Sequence, residues 1–308
     1  MGTGTLTVSL PSKWIKENNI KQGEELEVLE SGEELIINSK RNNSKLKRIT
    51  IDAKGLSSSL ILRKIYIAYI LGYEEIEILV DNNEIEHTAT KYLSLVEKMP
   101  KKLTTHEVIP FINSIGVEIV EQDKNRYLLS IMVSSDIDFE KTFKRLFTLT
   151  KSYGEEVLEY TQKGFNGSVN RLYSQEITIN KFYRLCLRII NSSVSGPRKT
   201  CLYDIVSRIE ELGDVYWDII QKSQPKKVNK ESLKRFKEFN GIFTQFYSEF
   251  FKDSEENLSK IYSSIKKLER EIQRNSGELS FLHGTLLTLC DILKNALQGK
   301  LQLMMIKE

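Results

Sequence analysis

From about residue 136 onward, apolar residues recur every three or four positions with no alternating stretch among them, the pattern of amphipathic helices. Six such segments begin near Asp138, Val169, Lys199, Lys230, Glu255 and Gly277, with breaks at Gly164–Gly167, Ser195-Gly-Pro197, Gln224-Pro225 and Asp253. Three plus three helices predict a bundle of two three-helix repeats. The clearest stripe is Leu202, Ile205, Ile209, Leu212, Tyr216 and Ile219, in a helix expected from about Lys199 to about Lys222. Glu210 and Asp214 stand one turn apart at the edge of that stripe, with Val206, Gly213 and Trp217, and not on the fully solvated face. A glycine inside a helix costs roughly 1 kcal/mol relative to alanine, so Gly213 predicts a close neighbour there.

The N-terminal third has a different texture. Thr5–Leu10 alternates like a strand, Pro11 suits the first turn of a short helix carrying Trp14 and Ile15, and Glu25–Leu29 and Glu34–Ile37 read as two strands separated by Ser31-Gly32. A unit of that size has one apolar face and too little core to stand alone, so it is expected to bury that face against a second copy. Lys40–Arg48 is a basic linker. Beyond it come a strand at Arg48–Asp52, a helix from Ser57 to Leu71 ended by Gly72, and a strand at Glu75–Val80. Two helices are expected over Glu84–Met99 and Thr105–Ser114, then a hairpin of Val117–Val120 and Tyr127–Met132 around Asp123–Asn125. The expected fold class is multidomain α+β: an N-terminal β module at 1–40, a small α/β domain at 46–134 and a six-helix bundle at 136–308.

Two resemblances sharpen this outline. Thr7–Trp14, followed by Ile20–Val28 and a final strand with Leu35-Ile-Ile37, resembles the AbrB/MazE/SpoVT-type swapped-hairpin domain. That resemblance implies an intertwined homodimer that binds DNA through its N-terminal end, with Thr3, Thr5, Lys13, Lys16, Lys40 and Arg41 as the DNA-facing residues. Members of that family usually carry a further strand and basic residues before the segment that begins here at Gly2-Thr-Gly4. Either the start lies upstream of Met1, or the module serves mainly to dimerise. In the second half, Ile209-Glu-Glu-Leu-Gly-Asp214 resembles the signature of PhoU, the two-repeat, six-helix regulator of phosphate uptake. The resemblance implies metal binding by Glu176, Asn180, Glu210 and Asp214, with iron, zinc or magnesium as the ion and an amide in place of the fourth acid. In the second repeat Leu286–Asp291 keeps the aspartate but has Leu287 where the glutamate should be. Taken whole, the chain resembles an archaeal AbrB–PhoU fusion regulator.

Composition mostly excludes. Forty-five basic against 42 acidic side chains leave +3, so any anionic partner must be met by a local patch. Cys186, Cys201 and Cys290 lack close spacing and are expected to be reduced thiols of a cytoplasmic protein. No apolar run reaches the ~18 residues of a membrane span, so the chain is expected not to be membrane-embedded. Neither a Gly-x-Gly-x-x-Gly nor a Walker sequence is present, and His87, His106 and His283 lie in three separate elements, which leaves no catalytic set and predicts a non-enzyme. Tyr66, Tyr69, Tyr73, Phe243, Phe246, Tyr247, Phe250 and Phe251 have helical spacing and are expected in the core. Lys226, Lys227, Lys230, Lys234, Arg235 and Lys237 form a second basic run, expected to be a solvated face. The expected function is a homodimeric, DNA-binding transcriptional regulator of phosphate uptake that senses phosphate status through its helical half. The alternative is an adaptor that does not bind DNA and contacts phosphate transporter components or a signalling kinase.

Overall fold

The computed structural model describes residues 7–31, 34–39, 47–81, 83–86, 102–109, 112–134, 137–223, 228–274 and 281–306. Residues 1–46 belong to one compact unit and 47–306 to another.

In the first unit α1 (Ser12–Glu17) follows Pro11, whose extended backbone makes it the N-cap rather than a first-turn residue. The chain turns through Gly23, at a φ of 82° that glycine adopts without strain, into an antiparallel hairpin of β1 (Leu26–Ser31) and β2 (Glu34–Ser39). The strand expected over Thr5–Leu10 is not formed in its described part: residues 7–10 are irregular and Val8 is 70% exposed. Alternation gains nothing until a partner strand satisfies the backbone donors and acceptors.

The second unit starts with a four-stranded sheet in the order β3-β4-β8-β7. β3 (Arg48–Asp52) runs parallel to β4 (Glu75–Leu79), and β8 (Arg126–Ile131) lies antiparallel between β4 and β7 (Val117–Asp123). The crossover that parallel strands require is α2 (Ser58–Ile70), which is followed by Gly72 at a φ of 87°. Ile61, Ile65 and Tyr69 of α2 pack on Ile51, Ile76, Ile78 and Leu129 of the sheet. Two sequence expectations fail here. The described start of the helix expected over Glu84–Met99 is a strand, β5 (Glu84–Glu86), paired with β6 (Lys102–Thr104), and residues 87–101 lie outside the described residues. The helix expected over Thr105–Ser114 is one turn, α3 (Thr105–Val108), opened by a Thr104/Glu107 capping box.

All six expected long helices form: α4 (Phe139–Gln162), α5 (Val169–Ser193), α6 (Gly196–Lys222), α7 (Lys230–Phe250), α8 (Glu255–Arg274) and α9 (Phe281–Met305). α6 starts three residues before the expected Lys199, with Pro197 in the first turn where its missing N–H matters least. α4, α5 and α6 pack on one another, as do α7, α8 and α9, and the two groups meet through α6 with α9 and α4 with α7. Phe143, Phe147, Phe243, Phe246 and Phe250 interlock at the α4–α7 seam, with ring centroids about 5–6 Å apart. The close helix approach expected at Gly213 is found elsewhere. A Cβ on Gly213 would only touch Ile179 at 3.4 Å, whereas one on Gly154 would lie 2.6 Å from the Tyr216 ring and one on Gly299 2.7 Å from Ile205. No helix among the described residues is long and apolar enough to cross a membrane.

Candidate functional site

Glu176 and Asn180 stand one turn apart on α5, and Glu210 and Asp214 one turn apart on α6. The α5–α6 packing that sets Ile179 against Gly213 brings the two pairs to the same level. Glu176 is 1% exposed and its Oε1 accepts a 2.6 Å hydrogen bond from the Asn180 amide. Glu210 keeps part of its surface open, yet its carboxyl is surrounded by protein. Burial first, and then the negative charges of Asp214 and Glu176, raise it to about 8, with the Arg184 guanidinium opposing.

Three further side chains belong to this cluster, two of them, Tyr153 and Tyr183, without a local sequence signal. Tyr153 of α4 is fully buried and its hydroxyl has no hydrogen-bond partner among the described residues. Burial and then the charges of Glu176 and Asp214 push its pKa far above the usual tyrosine value. Tyr183 is raised by burial and then by Glu210, against a hydrogen bond with Ser207. Arg184 is one helical turn from Asn180 and two from Glu176, so helical spacing could have pointed to it. Arg208, a neighbouring cation on α6, pairs with Asp204 at 3.2 Å and Glu211 at 2.8 Å.

The cluster therefore holds excess negative charge in a largely buried place, which suits a proton or a cation. Among the described residues no group of three or more His, Cys, Asp or Glu side chains is placed to hold a metal ion. Asn180 is engaged with Glu176 rather than turned outward with the acids. In the second three-helix group a lysine takes the cation's place. Lys294 bonds to the carboxylates of Glu269 and Asp291, the latter at 2.7 Å, and these bonds hold the ammonium charged against the burial that works the other way.

The N-terminal unit has a different character. Lys13 and Lys16 are exposed on α1, Lys13 lying 3.9 Å from Glu17. Among the described side chains of residues 7–39 none is buried, and Val28 and Leu35 are 53% and 61% exposed. Residues 1–45 match the family described as antidote-toxin recognition MazE, bacterial antitoxin. This N-terminal segment is AbrB/MazE-type. No curated protein and no solved structure matches the chain. Of the residues expected to face DNA from the MazE-type domain, Thr3, Thr5, Lys40 and Arg41 lie outside the described residues. Arg48, the last residue of the basic linker, begins β3 as expected and pairs with Glu75 at 3.5 Å and Glu77 at 2.8 Å.

Proposed function

We propose that this chain is a homodimeric DNA-binding regulator whose N-terminal module both pairs two copies and touches the duplex. The single observation that carries the reading is a MazE-type domain with no buried side chain of its own among those described. A module with Val28 and Leu35 exposed on its hairpin gains a core by packing against a second copy, as an isolated two-stranded hairpin is marginal in water. Lys13 and Lys16 would then be presented twice on one surface, with phosphate contacts as their role.

The finer reading is that the helical half reports phosphate status to this module without catalysing a reaction. It is supported by the signature resemblance of Ile209–Asp214 and by the buried excess of negative charge at Glu176, Glu210 and Asp214. A cation joining those carboxylates would bring Asn180 as an oxygen donor only after breaking its bond to Glu176. The family description also fits an antitoxin, in which case a toxin polypeptide would copurify with the chain.

Sedimentation of the full chain should give twice its 35.7 kDa mass, and Leu35→Glu should yield monomers. Duplex DNA titrated into the dimer should bind with an affinity that falls as salt rises. A dimer with no salt-sensitive binding near 50 mM salt would transfer the reading to the adaptor that contacts a transporter or kinase.

A further inference from the structure

On the outer face of the second three-helix group, α7 and α8 pack side by side and are tied by an ion pair between Arg235 and Glu271. Arg235 is nearly buried, 10% of its side chain being exposed, and it also binds Glu231 at 2.6 Å and Glu238 at 2.8 Å. One guanidinium thus consumes three carboxylates along the seam. Outward of that seam stand Lys230, Lys234 and Lys237 on α7 and Lys267, Arg270 and Arg274 on α8, all exposed. Among the described residues, none of these six cations has an ion-pair partner.

The contrast with the rest of the bundle is informative. Lys141, Lys163, Lys222 and Lys260 each hold an acid three or four residues away. In the basic rows the acids within that reach among the described residues, Glu231, Glu238 and Glu271, are the ones Arg235 has taken, so the rows keep their field. The sequence shows only the α7 run; the matching α8 row is added by the packing.

We propose that this face is a second contact for the phosphate backbone of double-stranded DNA, one that acts together with the N-terminal module. The inference rests on the DNA-binding reading above. Each row spans seven helical steps, about 10 Å, and packed helices lie about 8–10 Å apart. Two such rows match the span between the phosphate chains that border a groove some 6–12 Å wide, one row to each strand. A protein partner fits less well. Interfaces between proteins have an apolar centre, and among the described residues no large apolar side chain is exposed between the rows. Tyr262, the exposed aromatic of α8, keeps company with Lys266 on the side turned to α9, where Lys266 and Lys294 share Glu269. Contact with phosphates alone would add affinity and salt dependence without reading sequence.

The test uses the full chain and fluorescence anisotropy with a promoter-length duplex between roughly 50 and 200 mM salt. Three variants are compared with the native protein: Lys267→Gln/Arg270→Gln/Arg274→Gln, Lys230→Gln/Lys234→Gln/Lys237→Gln, and Lys13→Ala/Lys16→Ala in the N-terminal module. Lys141→Gln/Lys163→Gln, which removes lysines that are already paired, serves as control. Each bundle triple should flatten the slope of log affinity against log salt by about 2–3 per subunit on the duplex and weaken binding about tenfold or more at the low end, with the control unchanged. If the bundle triples leave slope and affinity unaltered while the N-terminal variant weakens both, the second contact does not exist and the MazE-type reading stands. The reverse result keeps the second contact and removes the N-terminal module as the DNA reader. Absence of salt-sensitive binding by the native chain overturns both.

Discussion

Arg184 sits over the ring of Tyr66, its guanidinium carbon 3.8 Å from the ring centroid, while its Nη1 donates to the Asn113 carbonyl at 2.7 Å. Tyr66 and Asn113 belong to the α/β part, and Arg184 to the bundle. The same arginine is the cation that opposes the raised carboxyl of Glu210. One turn further along α5, Arg188 donates to the carbonyls of Tyr69 and Tyr73 at 2.7 and 2.9 Å, and Asn191 donates to that of Ile70 at 2.9 Å. The C-terminal end of α2 and the turn after it are thus held from the bundle, the Tyr69 carbonyl accepting also from the Gly72 N–H at 3.1 Å. Glu176, Asn180, Arg184 and Arg188 rise on successive turns of one helix, so a change of charge in the acid cluster acts on a residue that also holds the α/β part.

Arg188→Ala removes two charge-assisted hydrogen bonds from this seam, to the Tyr69 and Tyr73 carbonyls, and is expected to destabilise the chain by about 2–3 kcal/mol. Denaturant unfolding followed by far-UV circular dichroism checks the size of the effect. An unchanged midpoint would show that the seam contributes nothing to the fold.

Glu210 holds its proton to higher pH in the folded chain, to about 8, than in the unfolded chain, where it titrates near the usual 4.5. The folded state therefore binds more protons between those values, and stability falls as pH rises from about 4.5 to about 8. Glu210→Gln should remove that loss: its melting temperature should exceed the native one by about 3 °C or more at pH 8 and equal it at pH 4. A native melting curve that is flat between those pH values would show that the carboxyl is solvated.

Two glycine substitutions of the same kind should have opposite signs. Gly154→Ala drives a methyl to within 2.6 Å of the fully buried Tyr216 ring, whose hydroxyl is held by Asn240 at 3.0 Å, and should cost about 1–3 kcal/mol. Gly213→Ala meets only Ile179 at 3.4 Å and should gain up to about 1 kcal/mol from helix propensity. Parallel thermal melts of the two variants decide.

Lys294→Met leaves the buried carboxylate of Glu269 with Lys266, at 3.3 Å, as its remaining cation and is expected to destabilise by about 1–3 kcal/mol. Adding Glu269→Gln should restore more than half of the loss, since the residue left behind carries no charge. If the double variant is no more stable than Lys294→Met, the lysine acts through packing of its methylene chain instead.

The long helices and their core stripe were determined by sequence alone. Leu202, Ile205, Ile209, Leu212, Tyr216 and Ile219 are all at most 4% exposed, and Glu210 and Asp214 sit at the stripe's edge as their spacing requires. The hairpin residues and the match of residues 1–45 were legible for the same reason: these are short-range patterns, fixed by neighbours within a turn or across a hairpin. Partnership between elements was decided only by the tertiary structure. Which glycine another element approaches, that Glu84–Glu86 pairs as a strand, that Tyr153 and Arg184 join the acid cluster, and that Lys267, Arg270 and Arg274 extend the row begun by Lys230 all depend on how each helix is rotated and how deeply it packs. Periodicity tells which face of a helix is apolar. It does not tell what that face will meet, because the meeting is set by ridges and grooves contributed from residues many turns away in sequence.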